Sequence, residues 1–181
     1  MTTWIALLRG VNVGGHRKLP MAEFRALLGK LGYQNVATYI QSGNAVFRAE
    51  GEAQSLAQEI SAAVEARFGF APDIMMLTAE QLQAALAVNP FPAAEAAPTT
   101  LHLFFMNRPM PVVDLKAMQE AATRGEKFSL GDGVFYFHTP NGMGRSELGG
   151  KLTRFIKTPM TGRNLRSCHK ILELAQGGAG A

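Results

Sequence analysis

The sequence has a single cysteine, Cys168, so no internal disulfide can form. That fits a chain kept in a reducing, cytoplasmic compartment. Its four histidines are scattered, and with one cysteine they offer no zinc-ligand spacing, so neither a metal site nor a cofactor is expected. No apolar run approaches the roughly 18 residues that a membrane helix needs, and no membrane partner is expected. Met1 to Leu8 lacks the basic flank and long apolar stretch of a signal peptide, and it reads as a first strand. Charged residues are few, 18% against 47% apolar, which excludes a disordered chain. The 181 residues suffice for one large domain or two small ones.

What charge there is lies unevenly. Residues 1–20 carry Arg9, Arg17 and Lys18 with no acid, a net of +3. Residues 21–144 have a net of −4. Residues 145–170 carry seven bases against Glu147, a net of +6. Two basic ends that met in space would make a surface attractive to anions.

Residues 4–8 form a continuous apolar run, as in a strand buried on both faces. Residues 9–19 are a Gly-rich polar loop, and Pro20 opens a helix on which Met21, Phe24, Leu27, Leu28 and Leu31 form one apolar face. Residues 36–41 and 45–48 read as a hairpin around Ser42-Gly43-Asn44. Leu56, Ile60, Val64 and Phe68 space a second helix, and residues 73–77 a further strand. Thr78 and Gln81 form a capping box for a short helix. The Pro- and Ala-rich stretch 89–99 reads as a linker.

The second half starts with a strand at 101–106 and a helix at 112–122. Strands at 127–130 and 134–138 then flank Gly131-Asp132-Gly133. Ser146 caps a helix carrying Leu148, Leu152 and Phe155, and a last helix spans 164–175. The order β-α-β-β-α-β of the first half, that of a ferredoxin-like unit, is thus followed by β-α-β-β-α with an extra C-terminal helix in place of a closing strand. The expected divisions are 1–88, the linker 89–99, 100–176, and a frayed tail at 177–181.

Four segments in order carry a family likeness: residues 6–15 (ALLRGVNVGG), 39–44 (YIQSGN), 89–91 (NPF) and 161–164 (TGRN). They resemble the signatures of domain of unknown function family 1697, an uncharacterised bacterial family. The resemblance implies an α+β fold of two similar ferredoxin-like subdomains, with exchange of their N-terminal strands as one arrangement. It implies no activity and no catalytic residues.

The candidate ligand-binding residues are Arg9, Asn12, Arg17, Lys18, Asn44, Arg163, Asn164 and Arg166. The loop from Arg9 to Lys18 joins a strand to a helix, where free N–H groups and the helix dipole favour anions. It has the outline of a P-loop, but His16 and Arg17 stand where Lys and Ser/Thr are required. Thr161-Gly162-Arg163-Asn164 reads as the opening of the last helix, where Arg163 and Arg166 oppose the dipole unless an anion or carboxylate compensates. Asn44 is first of all a turn residue and secondly part of a polar hairpin tip.

No close Ser/His/Asp or Cys/His set is visible, and whether the chain is an enzyme stays open. Cys168 falls on an apolar helical face and reads as core, and His102 and His138 read as packed strand residues. The leading expectation is a small phosphate-bearing ligand held between the halves. The alternatives are nucleic acid gripped by residues 145–170 or stacked on Tyr39, Phe47, Phe135 and Phe137, an enzyme acting on an anionic substrate, and an assembly role as monomer or homodimer.

Overall fold

Thr2–Leu8 extend as β1, because an apolar run with Trp, Ile and Thr suits a pleated surface covered on both sides. In the computed structural model, which describes residues 1–107 and 109–177, the chain divides into two compact units. One is Met1–Ala84 together with the stretch from His169, and the other is Ala85–Cys168. The tail expected to fray falls largely on residues 178–181, outside the described residues.

In the first unit β1 is followed by α1 (Met21–Lys30), β2 (Gln34–Tyr39), β3 (Asn44–Ala49), α2 (Ala53–Phe68) and β4 (Ile74–Thr78). The sheet order is β2-β3-β1-β4, with every neighbour antiparallel. Alternation puts Trp4, Ala6 and Leu8 on one face, level with Phe47, Ala45 and Ile74 of the flanking strands. That face packs on Phe24 and Leu28 of α1 and on Leu56, Ile60 and Val64 of α2, the positions with helical spacing. The Thr78–Gln81 capping box forms as expected: Gln81 N–H donates to Thr78 Oγ1 at 3.2 Å and Thr78 N–H to Gln81 Oε1 at 2.8 Å. It opens α3 (Ala79–Ala87).

The second unit contains β5 (Leu101–Phe105), α4 (Leu115–Ala121), β6 (Lys127–Leu130), β7 (Val134–His138), the single-turn α5 (Leu152–Phe155), β8 (Thr161–Asn164) and the first residues of α6 (Leu165–Ala175). Its sheet order, β6-β7-β5-β8, repeats that of the first. Phe135 and Phe137 pack on Met118, Leu148, Leu152 and Ile156.

Three expectations are corrected. Of residues 161–164 only Asn164, which caps α6, takes part in opening the last helix; the four form β8, the closing strand that the second half was expected to lack, paired with β5 from Phe105↔Thr161 to His102↔Asn164. A strand is possible there because Gly162 lies against the Phe104 ring, where an added Cβ would come within 2.6 Å of Cε1. The first strands are not exchanged between the sheets, since β1 and β5 each pair within their own. The helices expected at 112–122 and after Ser146 are shorter. Asp114 caps α4 by accepting from Ala117 N–H at 2.9 Å. Gly149 and Gly150 are poor helix formers and leave a 3₁₀ turn, Gly149–Lys151, ahead of α5. The stretch 89–99 is itself ordered, with a 3₁₀ turn at Pro92–Ala96 behind an Asn89 Oδ1 that accepts from Phe91 N–H at 2.8 Å.

Candidate functional site

The β1–α1 loop is fastened at its root by Asn12. This residue sits at φ 56°, a region that Asn tolerates better than most. Its Nδ2 donates to the carbonyls of Leu19 at 2.9 Å and Gln41 at 2.8 Å, and its Oδ1 accepts from Leu19 N–H at 2.8 Å. Asn12 N–H also donates to Arg17 O at 3.1 Å, and His16 N–H to Val13 O at 3.1 Å. Val11 and Leu19 are buried anchors, while His16, Arg17 and Lys18 between them are exposed. The loop is therefore closed on itself by its own hydrogen bonds.

The β2–β3 turn is pressed against this loop. Leu8 N–H donates to Gly43 O at 2.8 Å, and a Cβ on Gly43 would stand 2.6 Å from Val11 Cγ2 and 2.9 Å from Leu8 Cβ. Only glycine fits so close a contact at φ 80°. Asn44 is 1% exposed, and its Nδ2 donates to Tyr39 O and Ser42 Oγ, both at 2.9 Å, so this amide shapes the turn from inside.

The basic residues of the loop differ in what they meet. Arg9 Nη1 lies 3.0 Å from Asp73 Oδ2, and its N–H donates to Asp73 O at 2.9 Å. Arg17 and Lys18 form no ion pair among the described residues. Arg17 also has a left-handed backbone, φ 49°. These two side chains hold positive charge in the open.

In the second unit Arg163 faces inward from β8 and is 6% exposed. Its Nη1 donates to Thr161 Oγ1 and to Gly162 O, both at 2.8 Å. Burial pulls its pKa down to about 10, with nearby Cys168 working the other way. Burial pushes the Cys168 thiol up to about 12 against the influence of Arg163, so the sulfur stays protonated and donates weakly to Arg163 O at 3.7 Å. Asn164 caps α6, its Oδ1 accepting from Ser167 N–H at 2.9 Å, and Arg166 is exposed in the helix's first turn.

The structure thus gathers Arg9, Asn12, Arg17, Lys18 and Asn44 in the first unit and Arg163, Asn164 and Arg166 in the second. Sequence reasoning did not find Asp73 or the Gln41 carbonyl. Asp73 follows from the strand pairing rather than from the sequence: β4 runs antiparallel to β1 with Leu8 opposite Ile74, which sets Arg9 beside Asp73 although they are 64 residues apart. The Gln41 carbonyl had no signal, because a backbone acceptor leaves no mark on the sequence.

Other chemistry is sparse. No cluster of three metal-ligating side chains exists among the described residues. No helix there is long and apolar enough to cross a membrane. Phe47, Phe135 and Phe137 are completely buried, so these rings cannot stack on bases. Part of the basic 145–170 segment is also engaged: Lys151 lies 4.0 Å from Glu147, and Lys170 lies 3.0 Å from Glu173.

The class so defined is a mixed α+β protein of two units, each with a four-stranded antiparallel sheet in the same strand order. The family described as "Protein of unknown function (DUF1697)" matches residues 1–136, and the chain belongs to it. Among solved structures, the conserved bacterial protein SP0830 from Streptococcus pneumoniae is similar over 96% of this chain and 98% of its own, with 24% identity and a TM-score of 0.71. At that identity the likeness is one of fold. No curated protein matches the chain.

Proposed function

We propose that the protein binds a small phosphate-bearing anion at the β1–α1 loop, with Arg17 and Lys18 as its charged contacts. The observation that carries this reading is that both bases stand exposed without a carboxylate partner among the described residues, on a loop already closed by Asn12. A preformed loop spends less ordering entropy on binding. The left-handed backbone at Gly10, Gly14 and Gly15 is of the kind found in anion-binding turns, although the Asn12 and His16 N–H groups are used within the loop itself. Each unit is read as ferredoxin-like, a reading that its element and strand order supports. The one buried cysteine suits a cytoplasmic setting.

The test is a titration of isotope-labelled protein with inorganic phosphate and pyrophosphate, followed by amide NMR. Saturable shifts centred on residues 13–18 are expected, weakening with added salt and disappearing in Arg17→Ala/Lys18→Ala. A spectrum unchanged by either anion overturns the reading.

A further inference from the structure

Ile40 holds a left-handed backbone, φ 46°, at the end of β2. A β-branched side chain adopts that region only against steric resistance, and glycine or asparagine would sit there with less. Core packing is a poor reason to keep isoleucine, because Ile40 is 49% exposed. Val13, in the facing loop, is 66% exposed. These residues lie one position outward on either side of the hydrogen bond from Asn12 Nδ2 to Gln41 O, 2.8 Å. The bond joins the two segments, and each carries an exposed aliphatic residue next to its bonded one, on the β1–α1 loop that also holds Arg17 and Lys18 and on the turn fastened to it.

We infer that Ile40 and Val13 contact the organic part of the ligand, so that the site takes an organophosphate with a flat or apolar group beside its phosphate rather than free phosphate. This rests on the reading of the loop as an anion site. Ligand sites combine mainly apolar contact area with a few placed polar groups, and exposed aliphatic residues on two joined segments, one of which carries exposed bases, match that composition. Ile40 is then a specificity residue retained despite its backbone strain, as strained residues at binding sites are.

The experiment compares inorganic phosphate with phenyl phosphate, the simplest phosphate carrying a flat apolar ring, by calorimetry and amide NMR. Phenyl phosphate is expected to bind about tenfold more tightly, the factor that a small buried apolar contact supplies. In Ile40→Asn that ratio falls toward one while the melting temperature rises, since Asn relieves the left-handed strain. A wild-type protein that binds both probes equally, with residues 13–18 still shifting, overturns this inference and leaves the anion site standing. An Ile40→Asn protein that keeps the full preference also overturns it. If neither probe shifts residues 13–18, the anion reading itself fails and takes this inference with it.

Discussion

The β1–α1 loop and the closing strand β8 both carry arginine, and they treat it in opposite ways. Arg17 stands exposed without a carboxylate partner among the described residues. Arg163 is 6% exposed and gives hydrogen bonds to Thr161 and Gly162 of its own strand. The cause is periodicity. In β8 alternate residues face opposite sides, so Thr161 and Arg163 both turn inward while Gly162 leaves room for Phe104. A closed loop imposes no such alternation, and its polar side chains stay in water. A planar guanidinium with several donors can be satisfied inside a protein, which makes arginine the base that a strand is best able to bury. The formal charge of residues 145–170 therefore overstates what that stretch presents to a ligand.

Truncating the two arginines separates these roles most sharply. Arg163→Ala removes hydrogen bonds from a charged donor and leaves a void, a loss of about 3 kcal/mol in urea unfolding. Arg17→Ala should change stability by no more than about 0.5 kcal/mol, as exposed substitutions do, while removing phosphate-induced shifts. Equal losses of stability would erase the distinction between a structural and a displayed arginine.

A smaller effect tests whether the loop and the hairpin turn act as one piece. Gly43→Ala adds a Cβ 2.6 Å from Val11 Cγ2 at a positive φ. Overpacking and the left-handed penalty together give a loss of about 2–3 kcal/mol. Gly15 also has a positive φ, 76°, but nothing lies within 4 Å of its added Cβ. Gly15→Ala should then lose only the backbone part, about 1 kcal/mol. Thermal unfolding of the two variants gives the difference, and a Gly43→Ala protein no less stable than Gly15→Ala would mean that the turn does not brace the loop.

The same contrast explains what the sequence could and could not reveal. The strands at 127–130 and 134–138 have the expected bounds, because a β-prone aromatic run and a Gly-Asp-Gly turn mark them locally. The Thr78–Gln81 box was readable for the same reason: both partners lie within one turn. β8 was not readable. Thr-Gly-Arg-Asn has little strand preference, and its extended form is stabilised by a partner strand far back along the chain. Of the candidate site, the exposed bases were visible as charge. The burial of Arg163 and Asn44 was not, since that of Arg163 depends on which face a short strand turns inward and that of Asn44 on a strand covered on both faces. The bracing role of Asn12 was hidden as well, because it is made through main-chain carbonyls.

Acid titration offers the gentlest test of the comparison, and it addresses the second sheet. His102 in β5 and His138 in β7 both have pKa values lowered, His102 by burial and His138 by burial and then by Lys127, its partner in the β6–β7 register. His102 Nδ1 is buried without a hydrogen-bond partner among the described residues, and the ring centroids of His102 and Phe104 lie 6.3 Å apart. A lowered folded pKa means that the folded state binds fewer protons than the unfolded one between the two values. Stability from these residues is thus complete above the unfolded histidine value of about 6.5 and is lost as pH falls through the window below it. Urea unfolding at pH 7 and pH 5 should show the fall. In His102→Phe, which suits the aromatic neighbours and cannot take a proton, the fall should be visibly shallower. If that variant keeps the wild-type dependence, His102 is protonated in place without penalty, and the second sheet is more open to water around β5 than its burial implies.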